Sequence, residues 1–147
     1  MVEHPLMDRI RMKKIDHIAI AVHSIEEALQ AYEGALGLEL AGVGEVPEQG
    51  VRVAFLPTGE SELELVEPLA SDSGVAKFLE KRGEGIHHIC FEVDDIEAVL
   101  QDLAARGVRL IDEQPRRGAQ GRVAFLHPKS THGVLIELIE KRRISCL

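Results

Sequence analysis

The sequence predicts an α+β fold of two βαβββ modules whose sheets face one central cleft. Three observations carry this expectation. A strand pattern led by histidine occurs twice, in DHIAIAV (16–22) and HHICFEV (87–93). Each is followed by a capping residue, a helix-period apolar pattern and a closing glycine, with thirteen residues from Ser24 to Gly37 and thirteen from Asp94 to Gly107. Three further strand-sized apolar segments then complete each half. Neither half is long enough to bury its own sheet, so the two are expected to share one core.

In chain order, residues 1–12 mix charged and apolar residues and read as a loose leader. The first module spans about 13–68. After its strand at 16–22, Ser24 and Glu27 form a capping box for a helix whose apolar positions are Ile25, Ala28, Leu29, Tyr32 and Leu36. Strands at 38–43, 51–57 and 62–68 follow. Residues 69–85 join the modules, with a short helix and turn over 75–85. The second module, about 86–141, repeats the order: a strand at 87–93, then a helix opened by Asp94 and Glu97 with Ile96, Val99, Leu100 and Leu103 on its apolar face, then strands at 108–112, 122–128 and 133–140. Residues 142–147 form a polar tail.

With 45% hydrophobic residues and no repetitive polar tract, the chain can build a sizeable core. A net charge of −8 argues against nucleic acid as a partner, because neutralising phosphates needs a basic face. Apolar runs of strand length fall far short of the roughly 18–20 residues that cross a bilayer, so no membrane segment is expected. Cys90 and Cys146 make neither a disulfide framework nor a CxxC metal pair, which points to a reducing cytoplasm.

Alternate residues of a strand share a face. His17 therefore lies with Ala19 and Ala21, and His88 with Cys90. Glu137 sits among Leu135, Ile136, Leu138 and Ile139, where a carboxylate is costly unless something pairs with it. Glu64 is its counterpart in the first half. The repeat separates the histidines by 71 residues and the glutamates by 73. A lone strand histidine is usually a hydrogen-bonded core residue, whereas two histidines and two carboxylates at matched positions suit a divalent metal with two positions left open. Mn, Co, Ni, Zn or Mg would fit. His87, by the same alternation, points to the opposite face from His88 and reads as structural.

DHIAIAV, PEQGV (47–51), GEGIHHICFEVDDIEAVL and AFLHPKSTHGVLIEL together resemble the methylmalonyl-CoA epimerase family, within the vicinal oxygen chelate superfamily, over roughly 13–141. The resemblance implies an eight-stranded, half-open, barrel-like sheet around a metal cleft, and a homodimer. It implies His17, His88 and Glu137 as metal ligands, with Glu64 at a position that varies between Glu and Gln. Glyoxalase I shares that ligand pattern, so the HPKS segment (127–130) carries the choice of family. The implied reaction interconverts the two epimers of methylmalonyl-CoA by removing the carbon-2 proton, through an enolate that the metal stabilises.

Inversion calls for an acid and a base on opposite faces of the enolate. Some members place a glutamate on the strand after PEQGV, where this chain has Val53. Glu48 in the adjoining loop, Glu137 through a free oxygen, and water ordered by the metal are the candidates. The CoA phosphates need local cations, for which Lys129, Ser130 and Arg122 are the first expectation, with Arg116 and Arg117 in a patch made flexible by Gly118 and Gly121. Alternatives on the same scaffold are a glyoxalase I-like lyase, an Fe(II) extradiol dioxygenase and a ligand-binding protein without catalysis.

Overall fold

The computed structural model describes residues 12–141; the expected tail and all of the leader but Met12 lie outside them. β1 (Lys14–Ala21) leads into α1 (Ile25–Leu29), which continues as a π-helical run over Gln30–Ala35. β2 (Gly42–Val46), β3 (Val51–Thr58) and β4 (Ser61–Pro68) follow, then α2 (Gly74–Arg82) and β5 (Gly85–Glu92). The second half continues with α3 (Ile96–Ala105), β6 (Arg116–Arg117), β7 (Gly121–Leu126) and β8 (Ile136–Lys141). All eight strands form one curled half-barrel sheet in the order β2-β3-β4-β1-β5-β8-β7-β6. In each half the first strand pairs parallel with the last, and β1 joins β5 antiparallel at the middle. This is the fold class that the repeat predicts.

Helices α1 and α3 cover the outer face with matching cores. Ile25 packs with Val22, Ala54, Leu56 and Leu65, and Ile96 with Val93, Ala124, Leu126 and Leu138. The same five residues, one Ile, one Val, one Ala and two Leu, recur because the same packing problem is solved twice. Each fully buried Leu or Ile contributes roughly 1.5–3 kcal/mol. A third cluster joins Ala19, Ala21, Val46, Val53 and Val66 of the inner face to Val75 and Leu79, so α2 closes one end of the cleft.

Both helix starts are tied to the sheet alike. The Ile25 N–H donates to Glu67 Oε1 at 2.8 Å and the Ile96 N–H to Glu140 Oε1 at 3.0 Å. Arg52 ion-pairs with Glu26 and Glu67, and Arg122 with Glu97 and Glu140.

Four sequence expectations are corrected. The cap of α3 is Asp95, whose side chain accepts the Ala98 N–H at 3.1 Å, while Asp94 pairs with Lys13 at 3.2 Å. The cap-to-glycine length is then twelve residues in the second half against thirteen in the first, and the π-helical run absorbs the extra one through wider bonds such as Leu36 N–H to the Ala31 carbonyl, 2.8 Å. That rewinding turns Leu36 outward, 66% exposed, off the apolar face. The strand expected at 38–43 starts only at Gly42, because the Leu38 N–H closes the helix on the Tyr32 carbonyl. Residues 108–112 form a single bridge, Leu110 to Leu126, since the Asp112 carboxylate takes the Phe125 N–H at 2.9 Å where a strand would offer a carbonyl.

Candidate metal and substrate site

The pairing of β1 with β5 is interrupted twice, at Asp16 on β1 and at His87 on β5, each an extra residue immediately before a candidate ligand. A β-bulge re-aims the side chains beside it. Asp16 Oδ2 accordingly lies 2.7 Å from His17 Nδ1, and His87 Nδ1 lies 2.8 Å from His88 Nδ1. The two orienting residues stand 71 positions apart, the same offset as the histidines they hold. Strict alternation hid both, and the reading of His87 as pointing away from His88 is corrected here: the bulge brings the two rings onto one cavity.

With their Nδ1 atoms held, the histidines turn their Nε2 atoms toward each other and toward Glu137. The separations are 3.3 Å between the two Nε2 atoms, 3.1 Å from His17 Nε2 to Glu137 Oε1 and 2.9 Å from His88 Nε2 to the same oxygen. All three residues are buried. Burial opposes charge on Glu137, yet hydrogen bonds from both imidazoles outweigh it and hold the carboxyl well below the usual range. Burial likewise opposes charge on His17, but Asp16, Cys90 and Glu137 hold its pKa above the ordinary value. Asp16 stays ionised against its own burial through His17 and through Lys141, 2.7 Å from Oδ1. Burial, reinforced by His88, pushes His87 down to about 4, so it is a neutral ring. Cys90, fully buried beside His17, has its thiol pushed up by burial and is kept protonated.

Glu64 borders the same small cavity, but its Oε2 approaches His17 Nδ1 at 3.4 Å, away from the point where the other three donors meet. Burial first, then the neighbouring carboxylates Glu137, Glu62 and Asp16, push it up to about 8 against the attraction of His17. Val53 is buried in the wall of this cavity, with Gln49 and Gln120 as its neutral polar lining. Sequence reasoning assigned neither glutamine a role, although Gln49 lies within PEQGV. Glu48 remains exposed on the turn Pro47–Gln49 and lines an adjoining cavity of about 400 Å³ that also opens onto His87 and His88.

None of the three residues expected at the phosphates lines the small cavity of the histidine cluster. The Ser130 hydroxyl accepts the Arg109 N–H at 2.8 Å, and Lys129 sits exposed on the turn Pro128–Thr131. Arg122 is the structural counterpart of Arg52, bound to the two glutamates that flank the start of α3. Replacing Arg122 by Ala is expected to lower the melting temperature by a few degrees, as Arg52→Ala is, and to leave the substrate KM within twofold. A tenfold rise in KM would return Arg122 to the substrate site. Gly118 and Gly121 serve close approach where flexibility was expected: a Cβ at Gly121 would collide with the Glu140 carbonyl of β8, and one at Gly118 with Val123.

Residues 16–125 match the Glyoxalase/Bleomycin resistance protein/Dioxygenase superfamily. The chain is 42% identical over 128 residues to the ethylmalonyl-CoA/methylmalonyl-CoA epimerase of Cereibacter sphaeroides, covering 85% of this chain and 96% of that one. The chain belongs to the methylmalonyl-CoA epimerase family of that superfamily. Among solved structures, a methylmalonyl-CoA epimerase in complex with methylmalonyl-CoA and NH4+ is similar at a TM-score of 0.85 and 42% identity, over 92% of this chain and 99% of that one. The uncharacterized protein YqjC of Bacillus subtilis is 48% identical over 132 residues, 89% of this chain and 94% of its own length. Within the epimerase family this chain carries Val53, an apolar side chain, on the cavity wall beside His17 and Glu64. Among the described residues no helix is long and apolar enough to cross a membrane.

Proposed function

We propose that the chain is a metal-dependent methylmalonyl-CoA epimerase, interconverting the (R) and (S) thioesters by proton transfer at carbon 2. The observation that carries this reading is the convergence of His17 Nε2, His88 Nε2 and Glu137 Oε1 within 3.3 Å of one another, in a chain of this family. The donor set fits one divalent ion per chain, Mn, Co, Ni, Zn or Mg: two imidazoles and a carboxylate kept ionised by them, buried together. When bound, such an ion supplies Lewis acidity that stabilises negative charge on the oxygens of the substrate enolate.

The residues have separable parts. For His88 Nε2 to be a donor its proton must sit on Nδ1, where neutral His87 accepts it. Asp16 does the same for His17. Glu64 is the proposed fourth ligand, its protonated carboxyl ready to ionise beside a cation. Both imidazoles approach Oε1 of Glu137, so Oε2 is left to move a proton, and Glu48 faces the adjoining cavity from the turn before β3. His87→Phe is expected to weaken metal affinity about 10–100-fold in competition with a chelating dye, with His87→Gln recovering part of it. Equal affinity in wild type and His87→Phe would show that His87 orients nothing.

We further read residues 13–141 as a single domain acting in the cytoplasm as a homodimer, for which the edge strands β2 and β6 offer pairing surface. Proton NMR of the metal-restored protein with one epimer in heavy water tests the reaction. Loss of the carbon-2 proton signal above background, abolished by chelator, is expected. No enhancement would sink the epimerase reading, and oxygen uptake with a catechol would assign the three converging donors to the Fe(II) reaction instead.

A further inference from the structure

We infer that the phosphate-bearing arm of the CoA thioester leaves the histidine cluster along a groove between α2 and β5, where Lys77, Lys81 and Arg82 hold its phosphates. This rests on the reading of the substrate as a CoA thioester. The cavity at His17, Glu64, His88 and Glu137 is small, about 30 Å³, and admits only the reacting end of a molecule. Through Gln49, Val66 and His88 it borders the 400 Å³ cavity beside it, which through Gly74, His87 and Leu135 borders a groove of about 590 Å³. The chain of spaces thus runs from the reacting atoms to α2. Its last part has the size of a site for an extended organic ligand.

The chemistry of that groove matches the arm. One wall offers Ile86, Ile89 and Val134, with Ile86 59% and Val134 40% exposed, an apolar surface suited to the methylenes of pantetheine. The other wall presents the three cations. Lys77 and Lys81 are one turn apart on α2, and Arg82 lies over the Phe78 ring at 5.8 Å from its centroid. Among the described residues no ion pair engages Lys77, Lys81 or Arg82, whereas in the other basic patch Arg116, Arg122 and Lys141 are each paired with a carboxylate and Arg117 is the one cation without an ion pair. In a chain of net charge −8, three unpaired cations on one groove are where a diphosphate and a ribose phosphate would be drawn.

The test compares the metal-restored wild type with the triple variant Lys77→Ala, Lys81→Ala, Arg82→Ala, using carbon-2 proton exchange on methylmalonyl-CoA and on methylmalonyl-pantetheine, which lacks the nucleotide and its phosphates. The preference for the CoA thioester, as a ratio of kcat/KM values, is expected to fall at least tenfold. Calorimetry with free CoA is expected to show at least tenfold weaker binding to the variant. An unchanged preference, or an altered sedimentation coefficient with unchanged CoA affinity, would overturn the groove and mark this face as a contact between copies of the chain. If wild type exchanges neither proton yet binds CoA through these three residues, the reaction is wrong and the groove stands.

Discussion

Replacing Glu137 by Gln is expected to lower carbon-2 proton exchange on the order of 10²- to 10³-fold and to strip the metal, with little loss of stability relative to the metal-free wild type. The asymmetry follows from what surrounds the carboxylate. Its charge is maintained against burial by the two imidazoles that share Oε1, so it is the anionic donor of the cluster. Glutamine keeps the size and one acceptor oxygen but carries no charge. His17 can then release a proton and become neutral, which spares the fold the several kcal/mol that a stranded buried charge would cost. Metal analysis after dialysis, proton exchange and a denaturation midpoint read the three quantities separately. Wild-type metal content with wild-type exchange would remove Glu137 from the site.

Removing the metal is expected to destabilise the protein by about 4 kcal/mol relative to the protein held at a thousandfold excess of ion over its Kd. The donors come from both halves: His17 on β1, His88 and Glu137 on β5 and β8. An ion bound by all three is bound only when the two halves are joined along β1 and β5, so its binding energy adds to the cohesion of that seam. Guanidinium denaturation with ion and with chelator measures it. The midpoint of Glu137→Gln should not respond to the ion, and a wild-type midpoint indifferent to chelator would refute the linkage.

Much of this was legible in the sequence because the repeat is read twice. The two His-led strands, the helix faces led by Ile25 and Ile96 and the pair Glu64 and Glu137 each support the other, and the sheet order follows from their duplication. What escaped depends on local departures from period. A bulge obeys no alternation, so His87 seemed to face away from His88, and nothing marked Asp16 as the partner of His17. Arg122 looked available because its partners Glu97 and Glu140 are distant in sequence, and only the matching pairs around Arg52 explain it. The position of Glu64 relative to Nδ1 of His17 is a matter of rotamer, to which sequence is blind.

The π-helical run after α1 bears on what this chain can accommodate. Counted from Ser24 and Asp95, the first half is one residue longer than the second between cap and glycine, yet β2, β3 and β4 pair without a register shift among them. The surplus residue is taken up within a single widened turn, none of whose six residues is buried. Change of length is thereby confined to the rim of the molecule. The two halves have been free to differ in length without disturbing the spacing of the side chains that meet across the cleft.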